Sequence, residues 1–391
     1  MRILHVIPFF APSWMYGGPV RATWEIARRL AKRGHHVSVF ATDAYGGGRF
    51  PRPLGQPMDL DGIEVTYFRL AGGAGGPYLS PALGHALSQR VGGFDVAHTS
   101  CGFSWTGVQL RKHALLAGVP YVYQAHGAMD RVKWRNKHLR KRLFFLFFEK
   151  RVLRDAAALV ALTPFEARNY QNLGAAPERI VIIPNGVDTD EYSPSTKRGA
   201  FRSGHGIPDE VPLVAYVGRI EHIKGVDRLL EAFHRLLESV PQARLVMAGP
   251  DEGMRAPLEA RAAALGIGDR VHFIGELDTS QTRALYHDAD VFALFSYGEG
   301  LPLAALEAMA CGLPVVISEE SHLPQVEEAG AGVVIKNGDI EAFAAALARF
   351  LNDKTACESS SQKAVELVRR EFQWESAVDR IESLYRALMR R

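Results

Sequence analysis

The sequence predicts an α/β protein built from two doubly wound, parallel-sheet domains, each similar to a Rossmann fold. The chain has 391 residues, which is enough for two domains of roughly 150–200 residues. Short apolar runs alternate with helical stretches in both halves, and this pattern stops once near residue 184 and then restarts. Buried strands that alternate with helices are typical of parallel sheets covered on both faces.

The first domain is predicted over residues 1–184. It opens with the strand "RILHVIPFF", the loop "APSWMYGG", the helix "PVRATWEIARRLAKRG" and the strand "HHVSVFAT". Helical spacing places Val20, Trp24, Ala27 and Leu30 on one side of that helix, and Gly34 can end it. Five further strands follow, mostly separated by helical stretches: "IEVTYF", "FDVAHTS", "PYVYQAH", "ALVALT" and "RIVIIP".

The second domain is predicted over residues 185–370, after a hinge rich in turn residues, "IPNGVDTDEYSP". Its strands are "VPLVAYVG", "ARLVMAG", "VHFIG", "VFALFS" and "PVVIS", again alternating with helices. The last helix, "WESAVDRIESLYRALMRR" within residues 371–391, has a periodicity that allows it to cross back to the first domain. Ligands of open α/β sheets bind at the carboxyl ends of the strands, so we expect a ligand cleft between the two domains.

Composition and charge exclude several classes of protein. Apolar residues make up 47% and charged residues 23% of the chain, as in ordinary globular proteins. No run approaches the roughly 18 apolar residues of a membrane span, and the N-terminus lacks a signal-peptide cleavage site. Three widely spaced cysteines fit a reducing compartment. A net charge of +3 makes no case for nucleic acid, so we expect a cytoplasmic protein with no nucleic-acid partner.

Glycines after the first strand of the first domain are the first candidate phosphate-binding element. The chain has neither G-x-G-x-x-G nor G-x-x-x-x-G-K-[ST] at these positions, which disfavours nicotinamide enzymes and P-loop NTPases. Gly17 and Gly18 instead let the backbone approach a ligand closely, and Pro19 suits a first helical turn. A plain tight turn is the alternative interpretation.

Cations after the first strand of the second domain are the second candidate. In "GRIEHIKG", Gly218 starts the loop, Arg219 can fork onto phosphate oxygens and Lys224 can add a point charge. A solvated loop whose cations are incidental remains the alternative.

Two glutamates flank the start of an otherwise apolar helix in "SYGEGLPLAALEAMACG". Pro302 is expected as its first helical residue, which leaves the N–H groups of Leu303 and Ala304 as an anion seat. Glu299 and Glu307 do not share one face of the helix, so they are not an acid–base couple. A carboxylate can accept from a pair of sugar hydroxyls. Alternatively, Glu299 favours the helix dipole and Glu307 is a structural carboxylate.

The segments "GRIEHIKGVDRLLEAF" and "YGEGLPLAALEAMACGLPVVIS" resemble the GT4-type family of retaining glycosyltransferases, which has the GT-B fold. The Glu-x7-Glu spacing of Glu299 and Glu307 is the most specific part of the resemblance. "YGGP", "QAHGAMD" and "IPNGVD" match in the same order, so the resemblance covers nearly the whole chain.

The resemblance implies a role for each donor-site residue. Glu307 is expected to hold the ribose hydroxyls of a nucleotide sugar and Glu299 the hydroxyls of the transferred sugar. Arg219 and Lys224 are expected to neutralise the diphosphate. Backbone N–H groups complete the phosphate site, from Gly17 and Gly18 and from Leu301, Pro302 and Leu303, where proline contributes only its geometry.

The resemblance also implies roles for two further residues. His126 resembles the histidine of the first domain that lies beside the reacting sugar, whereas taken alone it reads as a structural histidine. Leu277, after "FIGE", matches the neighbourhood that holds the nucleobase.

The implied chemistry needs no cofactor and no metal ion. The nucleotide sugar, UDP- or GDP-linked, is a substrate, and same-face attack retains the anomeric configuration. "DTD" at Asp188–Asp190 imitates a metal-binding triplet, but "DLD" and "DAD" occur too, so we interpret it as structural.

A basic segment, residues 131–154, suggests where the acceptor lies. It holds ten lysines and arginines against one glutamate, and Arg140, Lys141 and Arg142 precede the apolar run "LFFLFF". An amphipathic helix of this kind can lie on an anionic membrane, although the phenylalanines could equally be core and the cations a solvated face. On the membrane interpretation, the protein is peripheral at the inner face of the membrane. Its acceptor is then a glycan or a lipid-linked glycan of exopolysaccharide or O-antigen assembly.

Two other functions remain open at this point. A nucleotide-sugar hydrolase or epimerase of the same fold would act on the donor without an acceptor. A catalytically silent nucleotide-sugar-binding protein would bind the donor and release no nucleotide.

Overall fold

A computed structural model describes residues 1–46, 50–72, 78–130, 138–193 and 198–390. The chain divides into two compact units. The first unit comprises Met1–Asn185 together with Trp374–Arg391, and the second unit comprises Gly186–Gln373. Each unit is an α/β domain with a mainly or wholly parallel sheet, which confirms the predicted fold class. Within the described ranges, no helix combines the length and the hydropathy needed to cross a bilayer.

The sheet of the first unit has eight strands in the order β3-β4-β2-β1-β5-β6-β7-β8. All neighbours are parallel except β3 and β4. The sequence did not predict β3, a four-residue edge strand that begins with a proline, as edge strands tolerate. The strands are β1 Arg2–Ile7, β2 His36–Thr42, β3 Pro57–Leu60, β4 Ile63–Phe68, β5 Val96–Ser100, β6 Tyr121–Gln124, β7 Ala158–Ala161 and β8 Ile180–Ile182.

Helices cover both faces of this sheet, whose central strands are buried almost throughout. The helices are α1 Gly18–Lys32, α2 Pro81–Arg90, α3 Trp105–Ala117, α4 His138–Phe144, α5 Lys150–Asp155 and α6 Pro164–Asn172. A π-helix, Phe145–Glu149, joins α4 to α5. One face of the sheet carries a hydrophobic core in which Tyr121 and Tyr123 of β6 pack with Val152 and Leu153 of α5.

The sheet of the second unit has six parallel strands in the order β11-β10-β9-β12-β13-β14. This is the strand order of a dinucleotide-binding Rossmann fold. The strands are β9 Leu213–Val217, β10 Arg244–Ala248, β11 Val271–Gly275, β12 Val291–Leu294, β13 Val315–Ser318 and β14 Gly332–Ile335. The helices are α7 Ala200–Gly204, α8 Val226–Leu236, α9 Arg255–Ala264, α10 Thr279–Asp288, α11 Leu303–Ala310, α12 Gln325–Glu328, α13 Ile340–Asn352 and α14 Lys354–Glu371.

The last helix, α15 Trp374–Leu388, belongs to the first unit. Arg33, the C-cap residue of α1, forms ion pairs with three carboxylates of α15, including Asp379 at 2.6 Å and Glu382 at 3.2 Å. Tyr385 lies within hydrogen-bonding distance of the buried His98 of β5, at 2.6 Å. These contacts attach the end of the chain to the sheet on which the chain began.

Candidate functional site

The loop after β9, residues 218–225, packs directly against the end of β12 in the second unit. Gly225 has a φ of +63°, and a Cβ built there would lie 1.7 Å from the carbonyl oxygen of Phe295, so only glycine fits. The Ser296 hydroxyl and the Tyr297 N–H both donate to the Ile223 carbonyl, each at 2.9 Å. Two loops that the sequence separates by some 70 residues therefore form one surface.

Lys224 and Glu299 form an ion pair on this surface. The Lys224 ammonium donates to both carboxylate oxygens of Glu299, at 2.8 and 3.0 Å. The Glu299 side chain is only 8% exposed, and its N–H donates to the Glu320 carbonyl at 2.9 Å. The residue predicted to bind phosphate and the residue predicted to bind the transferred sugar are thus brought into contact.

Arg219 pairs with Glu221, a residue to which the sequence analysis gave no role. Its guanidinium lies 2.6 Å from one carboxylate oxygen of Glu221 and 3.1 Å from the other. Burial raises the pKa of Glu221, and the nearby Arg219 partly opposes this. The Gly218 N–H donates to the Ala248 carbonyl at 2.9 Å, which places the start of this loop beside the end of β10.

Helix α11 begins at Leu303, one residue later than predicted. Pro302 is its N-cap rather than its first helical residue because its ψ of 103° is extended. The Pro302 carbonyl accepts from the N–H groups of Ala305 and Leu306. The N–H groups of Leu303 and Ala304 lie in the first turn, where a helix supplies no backbone acceptor, and Leu301 is buried just before it.

Glu307 is a buried carboxylate in the middle of α11. It is 8% exposed, and the Tyr286 hydroxyl of α10 donates to its Oε2 at 3.4 Å. Burial, with the Glu307 charge as the second cause, raises the pKa of the neighbouring Cys311 to about 12. The sequence analysis did not connect Tyr286 to the site. It predicted α10 and α11 as two separate helices, and nothing in the sequence indicates that they contact each other.

Aromatic packing supports the loop before Glu299. The Tyr297 ring stacks on His222 with centroids 4.7 Å apart, and the Arg228 guanidinium lies 3.6 Å from the Tyr297 centroid. The Tyr297 hydroxyl donates to Asp227 at 3.0 Å. Leu277 lies partly buried in the second unit, between the end of β11 and the capping box Asp278–Gln281 that starts α10.

Gly17 and Gly18 start α1 in the first unit. Gly17 is the N-cap residue with a φ of +74°, a backbone conformation that residues other than glycine rarely adopt. Gly18 is the first helical residue and Pro19 follows it. The Gly17 carbonyl accepts from the N–H groups of Val20 and Arg21, as the predicted helix start requires.

His126 lies two residues after the end of β6 in the first unit. Its φ is +53°, and neither ring nitrogen has a hydrogen-bond partner among the described residues. Burial lowers its pKa to about 3, so the imidazole is neutral near pH 7. The adjacent Gly127 N–H donates to the buried carboxylate of Glu166 at 2.6 Å, which anchors this turn.

The basic segment is described only from residue 138, so its residues 131–137 lie outside the described part of the chain. Arg140 and Arg142 are exposed, and the half-buried Lys141 lies 5.7 Å from the Phe103 ring centroid. The phenylalanines divide between the two predicted environments, since Phe145 is buried and Phe147 is 58% exposed. An exposed apolar face runs along this segment, consisting of Leu139, Leu143, Leu146 and Phe147.

The acidic triplets have structural contacts. Asp188 accepts from the N–H groups of Asp190 and Glu191, at 3.2 and 3.1 Å, and Asp288 accepts from three N–H groups around the start of α7. In the part of the chain that the structure describes, no group of three or more His, Cys, Asp or Glu side chains is arranged to hold a metal ion.

Comparisons with known proteins place both units. Residues 17–186 match the family model "Glycosyl transferase 4-like domain", and residues 197–367 match "Glycosyl transferases group 1". A D-inositol 3-phosphate glycosyltransferase of Geodermatophilus obscurus is 30% identical, over 93% of this chain and 83% of that protein.

Two solved structures share the fold along the whole chain. Sucrose-phosphate synthase from Thermosynechococcus elongatus is 24% identical with a TM-score of 0.82, and the match covers 99% of both chains. Anabaena HepE in complex with UDP and glucose is 21% identical with a TM-score of 0.81, covering 99% of this chain and 100% of that chain.

Proposed function

This chain belongs to the GT4-type family of glycosyltransferases, and we propose that it transfers the sugar of a UDP-sugar to an acceptor hydroxyl. The transfer retains the anomeric configuration. The observation that carries the proposal is the pair of buried carboxylates Glu299 and Glu307, set before and within α11, with Lys224 in contact with the first. Buried carboxylates on one loop and helix can read two sets of sugar hydroxyls on one ligand.

Each carboxylate binds a different part of the donor. Glu307 holds the ribose hydroxyls, and Glu299 contacts hydroxyls of the transferred sugar. Uridine is proposed over guanosine because HepE, whose fold matches along the whole chain, was solved with UDP. Leu277 lies near the base.

Charge stabilisation is the main contribution of the protein to the reaction. As the bond between the sugar carbon and the phosphate oxygen breaks, negative charge grows on the diphosphate. Arg219, Lys224 and the first-turn N–H groups of α11 stabilise that charge. The acceptor proton moves to the leaving phosphate on the same face of the sugar, and no metal ion takes part. His126 acts beside the sugar as a neutral hydrogen-bonding group, because burial depresses its pKa.

Inositol phosphate is the first candidate acceptor. Its support is the relative at 30% identity, a D-inositol 3-phosphate glycosyltransferase that this chain covers over 83% of its length. This moves the proposal away from the glycan acceptor that the basic segment suggested.

A glycan or lipid-linked glycan at the inner face of the membrane is the second candidate acceptor. The exposed apolar face favours it, since Leu139 and Phe147 are 68% and 58% exposed beside the cations Arg140 and Arg142. Apolar side chains flanked by cations are what an interfacial helix presents to anionic lipid.

Nucleotide binding tests the two glutamates. We expect Glu307→Ala to weaken UDP binding by calorimetry about 10- to 100-fold, the range for loss of hydrogen bonds to a charged group. Glu299→Ala should mainly reduce kcat, because its partner hydroxyls are on the sugar. The exposed Glu238, on the same unit, supplies the control Glu238→Ala. Parent-like UDP affinity in Glu307→Ala contradicts the ribose assignment.

A product assay separates the functions. Parent protein is incubated with UDP-sugars and with either D-inositol 3-phosphate or a lipid-linked glycan in vesicles, and the product anomer is read by NMR. UDP release that requires one acceptor, with retention, supports the proposal and identifies the acceptor. UDP release or sugar conversion without any acceptor indicates a hydrolase or an epimerase. UDP binding without turnover on either acceptor indicates a silent binding protein.

A further inference from the structure

Two neighbouring loops of the first unit contain residues in the left-handed region. In the β5 loop, residues 101–103, Cys101 has a φ of +74° and Phe103 a φ of +58°. In the β6 loop, residues 126–130, His126 has a φ of +53°. Bulky residues seldom adopt such angles, and they persist only where surrounding contacts hold them.

The two loops are in direct contact. The Cys101 N–H donates to the Gln124 carbonyl at the end of β6, at 3.0 Å. A Cβ built on Gly102 would lie 2.5 Å from the Met129 side chain and 3.1 Å from the Cβ of Ala128. The β5 loop is therefore packed closely against the loop that begins at His126.

The buried carboxylate of Glu149 contacts the β5 loop. Glu149 is 2% exposed and is the last residue of the π-helix, a geometry that is frequent at functional sites. It accepts from the Tyr123 hydroxyl at 2.5 Å and from the backbone N–H of Phe103. One side chain thus joins β6, the β5 loop and the helical segment that carries the exposed apolar face.

We propose that Glu149 is a positioning residue for sugar transfer, acting with Tyr123. It holds the β5 loop against the β6 loop and so fixes the position of the His126 imidazole. This inference rests on the role given to His126 in the proposed function. The mechanism described above uses neither residue.

Tyr121 provides a matched control two residues earlier on the same strand. Its hydroxyl donates to the Val152 carbonyl of α5 at 2.6 Å. Tyr121→Phe therefore removes a buried hydrogen bond between β6 and the same helical segment, without touching the β5 loop.

Steady-state kinetics of the full chain test the proposal. Tyr123→Phe and Glu149→Ala should lower kcat at least about tenfold, as small misplacements near a reaction centre do, while KM for the UDP-sugar stays within about twofold. Glu149→Gln keeps a carbonyl acceptor and should recover part of kcat. Tyr121→Phe should keep parent kcat. Equal losses in both tyrosine variants would overturn the proposal.

An NMR measurement keeps the test independent of turnover. The His126 ring signal is assigned by its loss in His126→Gln and then compared between variants. We expect it to shift in Tyr123→Phe and to stay in place in Tyr121→Phe. An unmoved signal in Tyr123→Phe refutes the positioning role even if the enzyme is active. A moved signal with no turnover in the parent contradicts only the proposed function.

Discussion

At the scale of single residues, the structure changes how the predicted cations and carboxylates are understood. Lys224 and Glu299 had separate predicted roles, and they form one ion pair of 2.8 Å. A largely buried carboxylate is stable only with compensating hydrogen bonds or charge. The predicted phosphate-binding cation and the predicted sugar-binding carboxylate therefore form a preformed pair.

We expect Glu149 to make the free energy of unfolding depend on pH. Burial raises its pKa from 4.5 to about 7, against the hydrogen bonds from Tyr123 and Phe103. Because the folded pKa is raised, its stabilising contribution is complete below about pH 4.5 and is lost as the pH rises through 7. The loss amounts to about 3 kcal/mol in the free energy of unfolding.

Urea denaturation between pH 4.5 and 8 measures this contribution. The difference in unfolding free energy between the parent and Glu149→Gln should change with pH in that window, because glutamine does not titrate. The exposed-residue control Glu238→Gln should run parallel to the parent. If the difference in unfolding free energy between the parent and Glu149→Gln stays constant with pH, the pKa of Glu149 is not raised.

At the scale of elements, the start of α8 depends on one close approach. Gly225 and Gly206 both have a φ of +63°, but only a Cβ at Gly225 would meet the Phe295 carbonyl. Both alanine variants bear the same left-handed strain of about 1–2 kcal/mol. Gly225→Ala should lose clearly more stability, because backbone atoms must also separate.

Thermal or urea unfolding of the two alanine variants checks this. Gly225→Ala should also bind UDP more weakly than Gly206→Ala, since the displaced loop carries Lys224. Equal stability of the two variants would mean that the contact between the loop and β12 relaxes freely.

The sequence analysis missed the edge strands β3 and β14, and it named no helix between β13 and α15, where α12, α13 and α14 lie. Length alone does not explain the missed strands, because β6 and β7 also have four residues and were predicted. Those two strands are fully buried, whereas β3 and β14 are only partly buried. The start of α11 moved by one residue because Pro302 took an extended ψ, and helix boundaries depend on such local angles. The other strands were recognised because an apolar run bounded by turn residues is a local property of the sequence.

At the scale of the whole molecule, the exposed apolar face predicts membrane association. The parent should float with vesicles rich in anionic phospholipid and less with neutral ones, because each nearby cation contributes about 1 kcal/mol at an anionic surface. The double variant Leu143→Asp with Phe147→Asp should lose flotation. Leu116, 78% exposed on α3, supplies the control Leu116→Asp.

Flotation that is equal with both kinds of vesicle, or absent with both, rejects the membrane interpretation. The acceptor proposal then rests on inositol phosphate alone. Loss of flotation in Leu116→Asp as well would point to general instability rather than to this face.

The sequence by itself determined the two α/β sheets, the glycine and proline positions that shape the loops, and the identity of the candidate site residues. Periodicity and turn chemistry are local, so they can be read along the chain. Tertiary structure alone decided which of those residues meet: Lys224 with Glu299, Tyr123 with Glu149, and His98 with Tyr385 near the end of the chain. The physical reason is that hydrogen bonds and ion pairs depend on distance in space, which folding sets between residues far apart in sequence.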